Sequence, residues 1–127
     1  MALTRGFKQL LAEANAMIET ISVKDALALV GDPGVVFVDI RHADERAANG
    51  AVRGSVHAPR GFLEFMADPD SPMHKPELGS GKRLVLLCAS GGRSALSART
   101  LQEMGVPRVC HVAGVFAAWK EAGGPVE

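Results

Sequence analysis

Apolar positions along the first stretch of the chain, Phe7, Leu10, Leu11, Ala14, Met17 and Ile18, recur at helical spacing, which predicts an amphipathic helix over residues 5 to 18. Such a helix lies on the core of its own domain or on a partner subunit, and packing on its own domain is favoured. Ser22 with Asp25 three positions on predicts a capped helix running to Val30, stopped by Gly31, before a turn at Asp32-Pro33-Gly34. The run Val35-Val36-Phe37-Val38-Asp39-Ile40 is apolar and β-branched without alternation, as in a strand covered on both faces, and Arg83-Leu84-Val85-Leu86-Leu87-Cys88 repeats that character. Weaker strand patterns occupy residues 54 to 58 and 108 to 112. Helical patterns fall at 43–49, 62–66, 94–104 and 115–122, with Val115, Phe116 and Trp119 read as core, and Pro and Gly breakers make 67–82 an irregular surface loop. Alternating strands and helices predict an α/β fold: a central parallel sheet with helices on both faces, preceded by the N-terminal amphipathic helix.

Length and charge narrow the function classes. A chain of 127 residues buries roughly two-thirds of its unfolded surface and needs no disulfide or metal staple. Fourteen basic residues balance fourteen acidic ones, with no basic stripe, which argues against nucleic-acid binding. No apolar run approaches a membrane span, and no signal peptide is evident. Two cysteines, Cys88 and Cys110, fit a reducing cytoplasmic setting. His42, His57, His74 and His111 lack metal-ligand spacing, so no metal is expected.

Candidate chemistry concentrates where the second strong strand ends. Cys88 is followed by Ala89-Ser90-Gly91-Gly92-Arg93 and then by a helical pattern from Ser94, so the thiol faces a helix N-terminus across a loop of small residues. Backbone N–H groups curled inward there, together with the helix dipole, stabilise a thiolate and make the sulfur a nucleophile at neutral pH. Cys110, inside a strand pattern with no such loop, is read as a structural cysteine. Asp39, at the end of a buried strand, needs hydrogen-bonding partners and is read as a brace for neighbouring N–H or arginine groups. Arg41, Arg46, Arg53 and Arg60 form a local positive bias read as solvated surface, with Arg60 the exception because it opens a short helix after Pro59 near the expected rim of the site. Ser94 caps the helix or donates to the sulfur; both readings stand.

The run Cys88-Ala89-Ser90-Gly91-Gly92-Arg93-Ser94 resembles the active loop of the rhodanese family of sulfurtransferases, and Val38-Asp39-Ile40-Arg41 with Glu45, the Gly50 to Pro59 segment, and Gly114 with Trp119 and the Ala122 to Val126 tail fall in that family's order. Ala51, Arg53 and Ser55 depart from the residues common there. The resemblance implies a single-domain sulfurtransferase in which Cys88 takes a sulfane sulfur from a small anionic donor such as thiosulfate, holds it as a persulfide, and passes it to a thiol, cyanide or a protein acceptor, with no cofactor. The resemblance covers residues 20–127 as the domain and leaves 1–19 as an N-terminal helical extension outside it. Read from the residues themselves, Arg93, a cation at an electrostatically unfavourable helix start, and Arg60 at the rim are the candidates for binding the donor anion, and Asp39 and Arg41 the candidates for structural support.

Two other readings stand beside this one: a persulfide carrier or regulatory module working with a partner protein, and a cysteine-dependent phosphatase. Phosphatases of that kind place five residues between Cys and Arg, whereas four separate Cys88 from Arg93. The N-terminal helix offers a surface for a homodimer.

Overall fold

The structure, a computed structural model, describes residues 1–127 except Val115. Among the described residues the chain forms a five-stranded parallel sheet in the order β1-β5-β4-β2-β3, built from β1 (Glu19–Ile21), β2 (Val35–Asp39), β3 (Val56–His57), β4 (Arg83–Leu87) and β5 (Val109–Val112). Helices α1 (Phe7–Met17), α2 (Val23–Ala28), α3 (Ala43–Asn49), α4 (Leu63–Ala67), α5 (Gly92–Glu103) and α6 (Phe116–Glu121) cover it. Short 3-10 turns at Arg60–Phe62 and Pro76–Gly79 lead into α4 and interrupt the irregular 67–82 segment. The helical pattern expected from residue 115 has its first residue outside the described ones.

Alternate side chains of β4 explain the two-sided burial. Leu84 and Leu86 join Val38, Ile40, Leu63, Ala95, Ala98, Leu101 and Ile18 on one face. Val85 and Leu87 join Ile21, Ala26, Cys110, Val112, Phe116 and Trp119 on the other. Both faces of a parallel strand are thereby closed, as its unbroken apolar run requires. Cys110 is fully buried in the second cluster, and burial pushes its thiol pKa up.

Local chemistry sets the element ends. Ser22 Oγ accepts from the Asp25 N–H at 3.1 Å and starts α2. Asp32 Oδ1 accepts from the Gly34 N–H at 2.8 Å and forms the turn before β2.

The extension departs from expectation in two ways. Only Ala14, Ile18 and Leu11 of the apolar stripe face the core, while Phe7, Leu10 and Met17 are exposed. The stretch after the helix also adds a sheet strand, β1, whose Glu-Thr-Ile is too short to show a period. No described helix is long and apolar enough to cross a membrane.

Candidate active site

Cys88 follows the last residue of β4, is 4% exposed, and points its Sγ at the start of α5. The Gly91 N–H donates to Sγ at 3.0 Å and the Ser94 N–H at 3.4 Å, with Ser94 Oγ 3.5 Å away. Gly91 makes this possible: its φ of 93° lies in the left-handed region, where a side chain would be strained, and it turns the N–H inward just before the first helical residue. The Phe116 N–H donates to the Ala89 carbonyl at 3.1 Å and pins the loop's first residue to α6, while Ser90 stands exposed at the tip. Gly92 opens α5. Of the loop residues singled out from the sequence, Gly91 and Ser94 contact the sulfur, while Ser90 is exposed and the Arg93 side chain turns to Glu45.

Ser94 is fully buried, and its hydroxyl lies 3.1 Å from the Gly91 carbonyl and 2.9 Å from His111 Nδ1. His111 is 3% exposed, burial depresses its pKa, and its Nε2 sits 3.0 Å from Thr20 Oγ1. Sequence reasoning assigned His111 only to a strand and Thr20 to nothing. The available signal was an ionisable side chain between Val109 and Val112, in a strand ending at the sheet's carboxyl edge where such folds bind ligands.

Arg93 spends two guanidinium N–H groups on Glu45, at 2.7 and 2.9 Å. Those hydrogen bonds, working against partial burial, bring the Glu45 carboxyl down to about 2. Glu45 also accepts from the His42 N–H at 3.1 Å, so one carboxylate starts α3 and ties it to α5.

Beneath α3, Asp39 is 1% exposed and receives the Arg41 N–H and Nε at 3.0 Å, Arg41 Nη2 at 2.8 Å and Arg46 Nη1 at 3.0 Å. Burial alone would raise the Asp39 pKa, but the Arg41 hydrogen bonds and the charges of Arg41 and Arg46 more than offset it and hold the carboxyl below its usual range. The reading of Arg41 as solvated surface is corrected: it is 2% exposed, because Asp39, the Gly50 carbonyl at 2.8 Å and the Phe116 ring at 4.3 Å enclose it. Arg46 is drawn down as well, and Ser55, one of the departures from the family, accepts from its Nη1 at 3.1 Å. Arg53 remains exposed. Arg60 is half-buried and donates to the Arg93 carbonyl at 3.3 Å, bordering a cleft between α1 and α5.

Two openings flank the loop. One, of about 270 Å³, is bordered by Arg41, Glu45, Ala89, Phe116 and Lys120. The other, of about 400 Å³, is bordered by Leu11, Asn15, Thr20, Ser90, Gly91 and His111 and carries no side chain of fixed charge. A cavity of about 580 Å³ near Leu78, Lys82, Met104 and Pro107 lies at the amino ends of β4 and β5, away from Cys88.

Known proteins place this arrangement in a class. The model of the rhodanese-like domain matches residues 22–122, and the chain belongs to that family. It is similar, at 48% identity, TM-score 0.94 and coverage of 100% of this chain and 98% of the other, to a Rhodopseudomonas palustris protein of unknown function described as a possible tyrosine phosphatase. It is also similar to the homodimeric polysulfide-sulfur transferase of Wolinella succinogenes, at 30% identity, TM-score 0.71 and coverage of 95% and 86%. A Bacillus subtilis protein named as a candidate sulfur carrier is 28% identical over 69% of this chain and 43% of its own length. The chain spans about half the length of the curated relatives it matches, 54% and 43%.

The Glu45 pKa has a definite consequence for acid stability. A carboxyl held near 2 when folded contributes stability that is fully present above its unfolded value of 4.5 and is lost as pH falls through about 2. Urea unfolding of wild type should therefore weaken with falling pH across that window, and Glu45→Gln should flatten this part of the slope. An unchanged slope in Glu45→Gln would show that the pair with Arg93 does not form in solution.

Proposed function

We propose that the protein is a sulfurtransferase that carries sulfane sulfur as a persulfide on Cys88. The observation that carries this is the Sγ under the Gly91 and Ser94 N–H groups at the start of a 12-residue helix, an environment that favours sulfur bearing negative charge. The thiolate attacks the outer sulfur of an anionic donor such as thiosulfate. An Sγ–S bond forms as the donor's S–S bond breaks, and the electron pair leaves with sulfite. An acceptor thiolate or cyanide then attacks the outer sulfur, and Sγ departs as a thiolate onto the same two donors. The steps draw on no cofactor. The names of the Wolinella and Bacillus relatives support sulfur as the cargo, and two free cysteines suit a reducing, cytoplasmic setting.

A second reading, a persulfide carrier that serves one partner protein, is supported by the Bacillus name; steady turnover of thiosulfate with cyanide favours the enzyme, and transfer only to a protein favours the carrier. The phosphatase description of the Rhodopseudomonas relative fits this loop less well. Arg93 follows Cys88 after four residues and commits two of its N–H groups to Glu45, leaving fewer donors for a phosphoryl group. A homodimer through the exposed Phe7, Leu10 and Met17 of α1 belongs to the proposal, and sedimentation equilibrium giving a single-chain mass at high concentration would remove it.

Intact-protein mass spectrometry after thiosulfate treatment should show a gain of about one sulfur atom (roughly 32 Da), located on Cys88 and absent from Cys88→Ser. Label on Cys110 alone, or Cys88-dependent hydrolysis of an aryl phosphate at enzymatic rates, would overturn the assignment.

Thiosulfate's sulfonate end needs its own cation, since the loop N–H groups serve the cysteine sulfur. Arg60 and Arg93 are proposed for that role, so each Arg→Ala change should chiefly raise the thiosulfate KM, by about 1.5–3 kcal/mol where a charge-assisted hydrogen bond is lost. Wild-type KM in both, with reduced unfolding midpoints, would make them braces only.

A further inference from the structure

The chain Thr20–His111–Ser94 ends on the nucleophile, and the steps above give it no role. We propose that His111 is a positioning residue that turns the Ser94 hydroxyl proton onto Cys88 Sγ; this rests on Cys88 being the nucleophile of the proposed sulfur transfer.

The argument is one of donor counting. Ser94 has a single hydroxyl proton and three neighbours that accept it: the Gly91 carbonyl at 3.1 Å, His111 Nδ1 at 2.9 Å and Sγ at 3.5 Å. If Nδ1 carries a lone pair, it is the nearest acceptor and draws the proton away from the sulfur. If Nδ1 carries its hydrogen, it donates to Ser94 Oγ instead, which leaves the Gly91 carbonyl and the sulfur as the hydroxyl's two acceptors, and negative charge on the sulfur draws the proton to it. The other end of the ring is compatible with this tautomer. Thr20 Oγ1, 3.0 Å from Nε2 and placed there by the β1–β5 register of Thr20 opposite His111, can donate to Nε2 when the hydrogen is on Nδ1, so the charge on the sulfur sets the direction of the chain. Every hydrogen bond then runs one way: Thr20 O–H to Nε2, Nδ1–H to Ser94 Oγ, Ser94 O–H to Sγ. This adds a third donor to the Gly91 and Ser94 N–H groups when the sulfur is a thiolate, as attacking or leaving group.

With the sulfur protonated, the same three groups reverse, S–H to Oγ, Oγ–H to Nδ1 and Nε2–H to Thr20 Oγ1, without any of them changing charge. His111 is buried among neutral groups, and no acidic side chain hydrogen-bonds to it among the described residues, so the neutral ring needed for both directions is the one its surroundings favour. Thr20 is exposed at the uncharged opening of about 400 Å³, so the chain links the buried sulfur to the mouth of the site.

The test is a double-mutant cycle read as the second-order rate of Cys88 alkylation by iodoacetamide at neutral pH, with folding followed by circular dichroism. Ser94→Ala should slow alkylation about ten- to a hundredfold, the value of one hydrogen bond to a charged sulfur, and His111→Leu should slow it in the same direction, because the hydroxyl then returns to the nearer Gly91 carbonyl. The double variant should be no slower than Ser94→Ala alone, because His111 acts only through that hydroxyl. His111→Asn, whose amide N–H falls where Nδ1–H stands, should recover to within about twofold of wild type. Thr20→Val, at an exposed position, should lose rate in the same direction and carries the test if His111→Leu does not fold. Multiplying losses in the double variant, wild-type alkylation in Thr20→Val, or no recovery in His111→Asn would each overturn the proposal. Alkylation requires no sulfur donor, so failure of wild type to form a persulfide would remove the transfer reading and leave this cycle interpretable.

Discussion

A carboxylate sealed at the carboxyl end of a buried strand cannot remain charged without partners, and the way Asp39 finds them organises the surroundings of Cys88. Two arginines converge on it, Arg41 from the next turn of chain and Arg46 from α3. Arg41 then reaches the Gly50 carbonyl and Arg46 reaches Ser55, so the segment after α3 is drawn back to the sheet. With α3 fixed, Glu45 faces α5 and takes Arg93. The loop holding Cys88 is therefore closed at its far end by an ion pair whose own support descends to Asp39. Such a buried cluster is weak as a source of net stability, because desolvation offsets much of the Coulomb attraction, but removing one member strands the others. Its value here is orientation.

That hierarchy separates what the sequence shows from what it hides. The strands at 35–40 and 83–88 were legible because burial on both faces leaves a run with no polar interruption, and Cys88 was legible because only small residues separate it from a helix start. The helix after the loop begins two residues before the expected Ser94, since Gly91 and Gly92, read as loop, include the cap and the first helical residue. β1 was invisible: three residues joined to the sheet by register with β5 carry no period of their own. The burial of Arg41 was hidden for a related reason, because a charge run resembles a solvated face until a partner such as Asp39 is placed beneath it.

His111 shows the same limit at the site. Nothing within β5 marks it as a neighbour of Ser94, 17 residues earlier, or of Thr20, 91 residues earlier. Those neighbours exist because the sheet order sets β5 between β1 and β4, so one side chain at its carboxyl end reaches both an edge strand and the start of α5. Parallel sheets assemble sites in this way, from strand ends that are adjacent in space and distant in the chain.

The position of β1 bears on how the domain is bounded. The family match begins at residue 22, one residue beyond β1, yet β1 covers one side of β5. A chain started at the family boundary would leave Val109–Val112, an apolar strand, as the open edge of the sheet, with its backbone N–H and C=O groups on that side unpaired. An uncovered edge of that composition is a template for strands of other molecules. β1 thus guards the β5 edge against strand pairing with other molecules, and shortening the protein to its family core would remove that cover.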